Sequence, residues 1–181
     1  MRINKENAIG LVIDVQENKF NQLSNKETFL KNTLNVINGL KILGVPLIVT
    51  QQNTEVQGAT VQEINQAIGN FSYIEKSHFS CYREPAFIRV LNRVGKRNVV
   101  IVGTEAHICI MQTALDLIYN NFNPVVVADA IDSVREEDRK LALWRMRDVG
   151  AVMATTESIL FELCRETGIP EYEQLVNLLR K

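Results

Sequence analysis

Five runs of aliphatic and β-branched residues, each closing on polar or small residues, constrain this chain most: "AIGLVID" (8–14), "VPLIVTQQ" (45–52), "NVVIVG" (98–103), "PVVVADA" (124–130) and "AVMATT" (151–156). Their apolar stretches are continuous rather than alternating. A strand that is apolar on both sides belongs to a sheet covered on both faces, which is the usual state of a parallel sheet. Segments of helical periodicity separate the runs. Residues 26–44 set Phe29, Leu30, Thr33, Leu34, Ile37, Leu40 and Ile42 on one stripe and stop at Gly44, and 85–95 opens on Pro85 and closes on Gly95, as helix ends prefer. Residues 109–119, 136–149 and the C-terminal "EYEQLVNLLRK" complete the set.

Strand and helix thus alternate, with a short extra strand expected near Tyr73 to Glu75. This predicts an α/β fold: a three-layer, doubly wound, mostly parallel six-stranded sheet with helices on both faces, Rossmann-like in plan. At 181 residues, 46% of them hydrophobic, the chain suits one domain with one sizeable core. The glutamine- and asparagine-rich segment 51–76 is the exception to the periodicity and reads as an excursion over one end of the sheet.

Twenty basic and 21 acidic side chains give a net charge of −1 with no basic cluster. Nucleic acid and anionic membrane surfaces are therefore not expected as partners; a small molecule or further copies of the chain are. The N-terminus has no leader-like apolar run, and no stretch approaches the roughly 18 apolar residues that span a bilayer, so the expectation is a soluble cytoplasmic protein. Cys81, Cys109 and Cys164 are odd in number and lack C-x-x-C spacing. That pattern predicts free thiols rather than a disulfide framework or a structural zinc.

Ligands of such sheets bind beyond the carboxyl ends of the strands, where the strand order reverses. The residues to inspect are therefore Asp14 and Gln16, Gln51 to Asn53, Lys76, Thr104 to Cys109, and Asp129 with Asp132. Cys109 follows a glycine-led turn, and in the first turn of a helix its thiol would be drawn toward thiolate, further so beside Lys76. It reads equally as a small apolar filler. Asp14 could cap a turn or accept a proton from a thiol. Lys76 alone says little, since most lysines are solvated; only the combination is specific. His78 and His107 are too few for a metal cluster and read as loop or helix-start hydrogen-bonding residues. Cys81 reads as packing, and Trp144, in the amphipathic "LALWRMRDV", as core.

"LVIDVQ", "EKSHFSCYREPAFIRVL", "VVIVGTEAHICIMQTALDLI" and "PVVVADAI", in this order over residues 8 to 160, resemble the successive motifs of the isochorismatase-like cysteine hydrolases. That group includes nicotinamidases, N-carbamoylsarcosine amidases and isochorismatases. "GTEAHIC" and "RMRDVGA" resemble most the isochorismatase-domain proteins of unassigned substrate. The resemblance implies a catalytic triad of Asp14, Lys76 and Cys109. It also implies a cis peptide between Thr104 and Glu105, an oxyanion hole of the Glu105 and Cys109 backbone N–H groups, and assembly as a homo-oligomer, dimer or higher. Nicotinamidases hold a metal through an aspartate and histidines lying between the aspartate and lysine of the triad. Here no histidine precedes His78, so neither metal nor cofactor is expected and nicotinamide is disfavoured. Isochorismatases proper tend to lack the cysteine.

The implied activity is hydrolysis of a small amide, ureide or related carbonyl compound through a thioester. The alternatives are an oligomeric binding protein that keeps the fold without turnover, and a redox protein pairing Cys109 with Cys81. The segments 51–72 and 131–136 are expected to set the substrate.

Overall fold

The structure, a computed structural model, describes residues 2–180. Six strands, β1 (Ala8–Ile13), β2 (Leu47–Gln52), β3 (Ile74–Lys76), β4 (Asn98–Thr104), β5 (Asn123–Asp132) and β6 (Val152–Ala154), form one sheet in the order β3-β2-β1-β4-β5-β6. Every pairing is parallel. The order reverses between β1 and β4, whose register pairs Ala8 with Asn98 and Ile13 with Gly103.

The helices are α1 (Glu17–Phe20), α2 (Lys26–Ile42), α3 (Thr54–Gln57), α4 (Gln62–Ile68), α5 (Pro85–Val94), α6 (Met111–Tyr119), α7 (Glu136–Asp148), α8 (Thr156–Cys164) and α9 (Pro170–Leu179). Alternate residues of each strand feed opposite cores. Ala8 and Val12 of β1 pack with Phe29, Val36 and Leu40 of α2, Ile159 and Leu163 of α8 and Leu175 of α9. Ile9, Leu11 and Ile13 pack with Phe87 and Leu91 of α5, Ala114 and Leu117 of α6 and Met146 of α7. Both faces are thus dry, which is why the strands carry uninterrupted aliphatic runs. Each fully buried Val, Leu or Ile side chain contributes roughly 1.5–3 kcal/mol relative to exposure.

Three expectations change. The run 151–156 pairs only over Val152–Ala154, because Thr155 caps α8, its side chain accepting from Ser158 N–H; the sequence reading contained no helix there. The helix expected from residue 109 begins instead at Ala106. Trp144 is 58% exposed rather than in the core, since the buried face of α7 runs through Ala142 and Met146 and residue 144 lies about 200° around the helix from 142. No helix among the described residues is long and apolar enough to cross a membrane.

Candidate active site

Gly103 and Asp14 bring the two central strand ends together. Gly103 has φ +133°, and a Cβ there would lie 2.0 Å from Ile13 O, so only glycine lets β4 close on β1 at this point. The next residue of β1's path, Asp14, takes a left-handed φ of 49°, which aspartate tolerates better than most residues. Its backbone is pinned on both sides: Asp14 N–H donates to Thr50 O at 3.2 Å and Thr104 Oγ1 donates to Asp14 O at 2.8 Å. Thr50 Oγ1 donates to Asp14 Oδ1 at 2.8 Å. Asp14 Oδ2 is left facing Lys76 Nζ, 2.6 Å away.

Lys76 closes β3 and is 2% exposed. Besides Asp14, its Nζ approaches Gln52 Oε1 at 3.0 Å, the carbonyls of His78 and Phe79 at 3.2 Å each, and Cys109 Sγ at 3.5 Å. Every neighbour is an acceptor. An ammonium satisfies such a cage, whereas a neutral amine would turn a lone pair toward one of the oxygens. Burial works against this charge, but the Asp14 carboxylate and the Cys109 and Cys81 sulfurs outweigh it and hold Lys76 above the ordinary lysine value. The loop that supplies the two carbonyls is fastened by Glu84, whose Oε1 accepts from Ser77 N–H at 2.9 Å and His78 N–H at 3.0 Å.

The peptide Thr104–Glu105 is cis, at the expected place. A π-helical turn over Ala106–Ile110 leads into α6 and carries Cys109. Glu105 O accepts from Ile108 N–H at 3.1 Å and from Ile110 N–H at 3.2 Å, passing over the Cys109 N–H between them. Ser133 steadies the turn from β5's end: its Oγ accepts from Ala106 N–H at 3.1 Å and lies 3.1 Å from His107 Nδ1. Cys109 Sγ donates to Gln52 Oε1 at 3.1 Å.

The expected thiolate is not the resting form. Burial, and then the negative charge of Asp14, raise the Cys109 thiol against the opposing pull of Lys76. The helix start and one ammonium do not offset removal of the sulfur from water. Burial likewise pushes Asp14 above the ordinary carboxylate range, with Lys76 and Thr50 opposing. A carboxylate of raised proton affinity beside a protonated thiol is a base facing an acid.

A cavity of about 200 Å³ opens over these groups, lined by Asp14, Gln52, Phe79, Thr104, Ile108 and Cys109, with Gln16, Lys19, Asn53, Gln57 and Glu105 completing it. This is below the usual span of drug-sized pockets, roughly 300–1,000 Å³, and suits a small ligand. Asp129 and Asp132 lie in a different recess, beside Asn32 and Arg139, where Asp129 Oδ1 accepts from Thr156 N–H at 2.8 Å at the start of α8. His78 meets Glu84 at 2.8 Å. Cys81 is fully buried, with its sulfur 3.8 Å from Thr50 Oγ1. Among the described residues no group of three or more His, Cys, Asp or Glu is arranged to hold a metal ion.

Thr50 escaped the sequence reading as a site residue, and Ser133 entered it only as part of the segment 131–136. Thr50 follows the aliphatic part of β2 and Ser133 the end of β5, and both are buried, so each hydroxyl needs a partner. Gln16 was named only by its place after β1; its side chain brackets Gln52, accepting from Gln52 N–H at 2.8 Å and donating to Gln52 O at 3.2 Å.

Residues 8–158 match the family model of the isochorismatase domain. Isochorismatase domain-containing protein 1 of Salmo salar is 37% identical over 145 residues, which are 80% of this chain and 51% of the fish protein, so the chain spans about half the length of that relative. The secreted isochorismatase effector Isc1 of Phytophthora sojae is 31% identical over 185 residues, covering 99% of this chain and 88% of the effector. The solved structure of the MAR1 ribonuclease from Caenorhabditis elegans superposes with a TM-score of 0.93 at 30% identity, over 100% of this chain and 93% of that one. By the matched family model, and by relatives aligned along nearly its whole length, the chain belongs to the isochorismatase family and carries that family's hydrolase fold.

Proposed function

We propose that the chain is a cysteine hydrolase that cleaves a small amide, ureide or related carbonyl substrate through a thioester, with Asp14, Lys76 and Cys109 as its triad. The observation that carries this reading is that the ends of β1 and β3 and the turn after β4 bring the three groups together, Asp14 and Cys109 lining the cavity and the buried Lys76 Nζ lying 2.6 Å from Asp14 Oδ2 and 3.5 Å from Cys109 Sγ. Asp14 takes the thiol proton as sulfur attacks the carbonyl carbon, so no thiolate needs to accumulate. Lys76 remains an ammonium throughout, balancing first the carboxylate and then the developing sulfur charge. The tetrahedral oxyanion rests on the N–H groups of Glu105 and Cys109. Asp14 returns the proton to the leaving nitrogen as the C–N bond breaks. It then accepts a proton from the water that cleaves the thioester, and sulfur leaves protonated.

Small substrates are favoured by the 200 Å³ cavity and by a net charge of −1, which offers nothing to a phosphate backbone. Homo-oligomeric assembly belongs to the same reading, supported by the solvent-facing Tyr119, Leu141 and Trp144, 86%, 64% and 58% exposed. The test compares wild type with Cys109→Ala on a panel of small amides and ureides, with a labelled RNA alongside. Turnover of an amide or ureide should fall by at least about 10³-fold in the variant. Equal turnover by both proteins, or Cys109-dependent cleavage of the RNA alone, overturns the proposal.

A further inference from the structure

Gln52 touches both Lys76 and the nucleophile Cys109 yet has no part in the proton path. Its Oε1 stands 3.0 Å from Lys76 Nζ and 3.1 Å from Cys109 Sγ. An ammonium has only donors, so the carboxamide oxygen must be the atom that faces Lys76. The amide Nε2, with its two N–H donors, then lies on the side away from Lys76, and Gln52 lines both the cavity over Cys109 and the neighbouring recess beside Glu75 and Glu84. The residue cannot drift. Gln16, itself 1% exposed, holds its backbone N–H and C=O at 2.8 and 3.2 Å, and a third contact, from Gln16 Nε2 to Gly58 O at 2.7 Å, ties that bracket to the 51–72 segment.

We propose that Gln52 is a two-sided specificity residue: Oε1 latches the resting Cys109 S–H, and Nε2 is a fixed donor to a second acceptor atom of the substrate, adjacent to the scissile carbonyl. The proposal rests on the hydrolase reading above and narrows its substrates to small carbonyl compounds with two neighbouring acceptors, such as α-dicarbonyl amides or ureides, over simple aliphatic amides. Its physical basis is asymmetric. A carbonyl oxygen that accepts an S–H repels a thiolate, so the latch keeps the nucleophile protonated in the empty site. A ligand acceptor drawn to Nε2 is held by a donor already oriented, at little entropic cost. A ligand without that acceptor leaves the two N–H groups without a partner once water is displaced, the kind of mismatch that discriminates strongly.

The test needs no turnover. Cys109 of the full chain is alkylated with iodoacetamide, the sulfur displacing iodide, and its modification is followed by peptide mass from pH 6 to 10. Pyruvamide and propionamide, matched in size but with two acceptors and one, serve as protectants. In wild type, pyruvamide should protect about fivefold better than propionamide, the worth of one neutral hydrogen bond. Gln52→Ala should be alkylated faster at neutral pH, with a lower midpoint, and should lose that preference. Gln52→Glu keeps the acceptor and removes the donor. It should be alkylated no faster than wild type, and it too should lose the preference. Unchanged alkylation of Gln52→Ala, or a pyruvamide preference that survives in Gln52→Glu, overturns the proposal. Failure of the hydrolase reading would show separately, as protection without hydrolysis.

Discussion

Asp14 Oδ2 and Lys76 Nζ lie 2.6 Å apart with their side chains 7% and 0% exposed, and the same Nζ touches the sulfur of Cys109. The pair joins the ends of β1 and β3, which are separated in the sheet by β2. Removing one member of such a pair leaves a charge in a dry site, whereas removing both leaves none. Lys76→Met should therefore destabilise the chain by about 3–5 kcal/mol in urea denaturation, and Asp14→Asn combined with Lys76→Met should cost clearly less than the sum of the single changes. Strict additivity would mean that the two groups do not stabilise one another.

Stability should fall on the alkaline side, and the thiols should be responsible for part of it. Cys109 is raised by burial and by Asp14, and Cys81 is pushed to about 12 by the same causes. A thiol with a raised value in the folded chain keeps its proton when the unfolded chain has lost it. Its contribution is complete below the ordinary thiol value of 9.0 and drains away as pH rises through the folded value. Lys76 adds the same sign above 10.5. Denaturation midpoints taken from pH 8 to 11 should decline, and Cys109→Ala should flatten the slope by up to about 1.4 kcal/mol per pH unit. An unchanged slope would mean that Cys109 titrates alike in both states.

Gly103→Ala should be far worse than its single methyl suggests. The added Cβ would meet Ile13 O at 2.0 Å in a backbone with φ +133°. A loss of more than about 1 kcal/mol is expected from the backbone alone, and displacement of Asp14, the next residue after Ile13, should slow turnover in whatever fraction remains folded. Gly44→Ala, where nothing lies within 4 Å although φ is +68°, should cost stability without slowing the folded enzyme. Equal effects at both sites would remove the close approach as the cause.

Trp144 and Leu141 face outward on α7, 58% and 64% exposed, while Ala142 and Met146 face the sheet. Changing both outward residues to glutamate should leave the monomer's melting behaviour close to wild type and shift the molar mass seen by light scattering toward that of one chain of 20.5 kDa. Retention of an assembly in that double variant would place the interface on another face.

The backbone plan was legible in the sequence because its signals are local. The short, β-branched runs of 98–103 and 124–130 read as strands buried on both faces, and Pro85 and Gly95 mark the ends of α5 by their own backbone preferences. Asp14, which ends an apolar run, and Lys76 and Cys109, which stand among the residues after the third and fourth strands, could be named as candidates because they fall on the edge where a doubly wound sheet collects its ligands, and the family resemblance joined them into a triad. What tertiary structure alone decided are the relations between residues far apart along the chain. Thr50 orients Asp14 across 36 positions, and Gln52 meets Cys109 across 57. No local pattern carries such a contact, because it depends on register and side-chain reach. The balance at Cys109 is of the same kind: a helix start favours thiolate in isolation, while the folded surroundings, dry and beside a carboxylate, push the thiol the other way. Trp144 gives the surface counterpart, since an apolar stripe along a helix tells that one face is buried but not which residues at its margin are left outside.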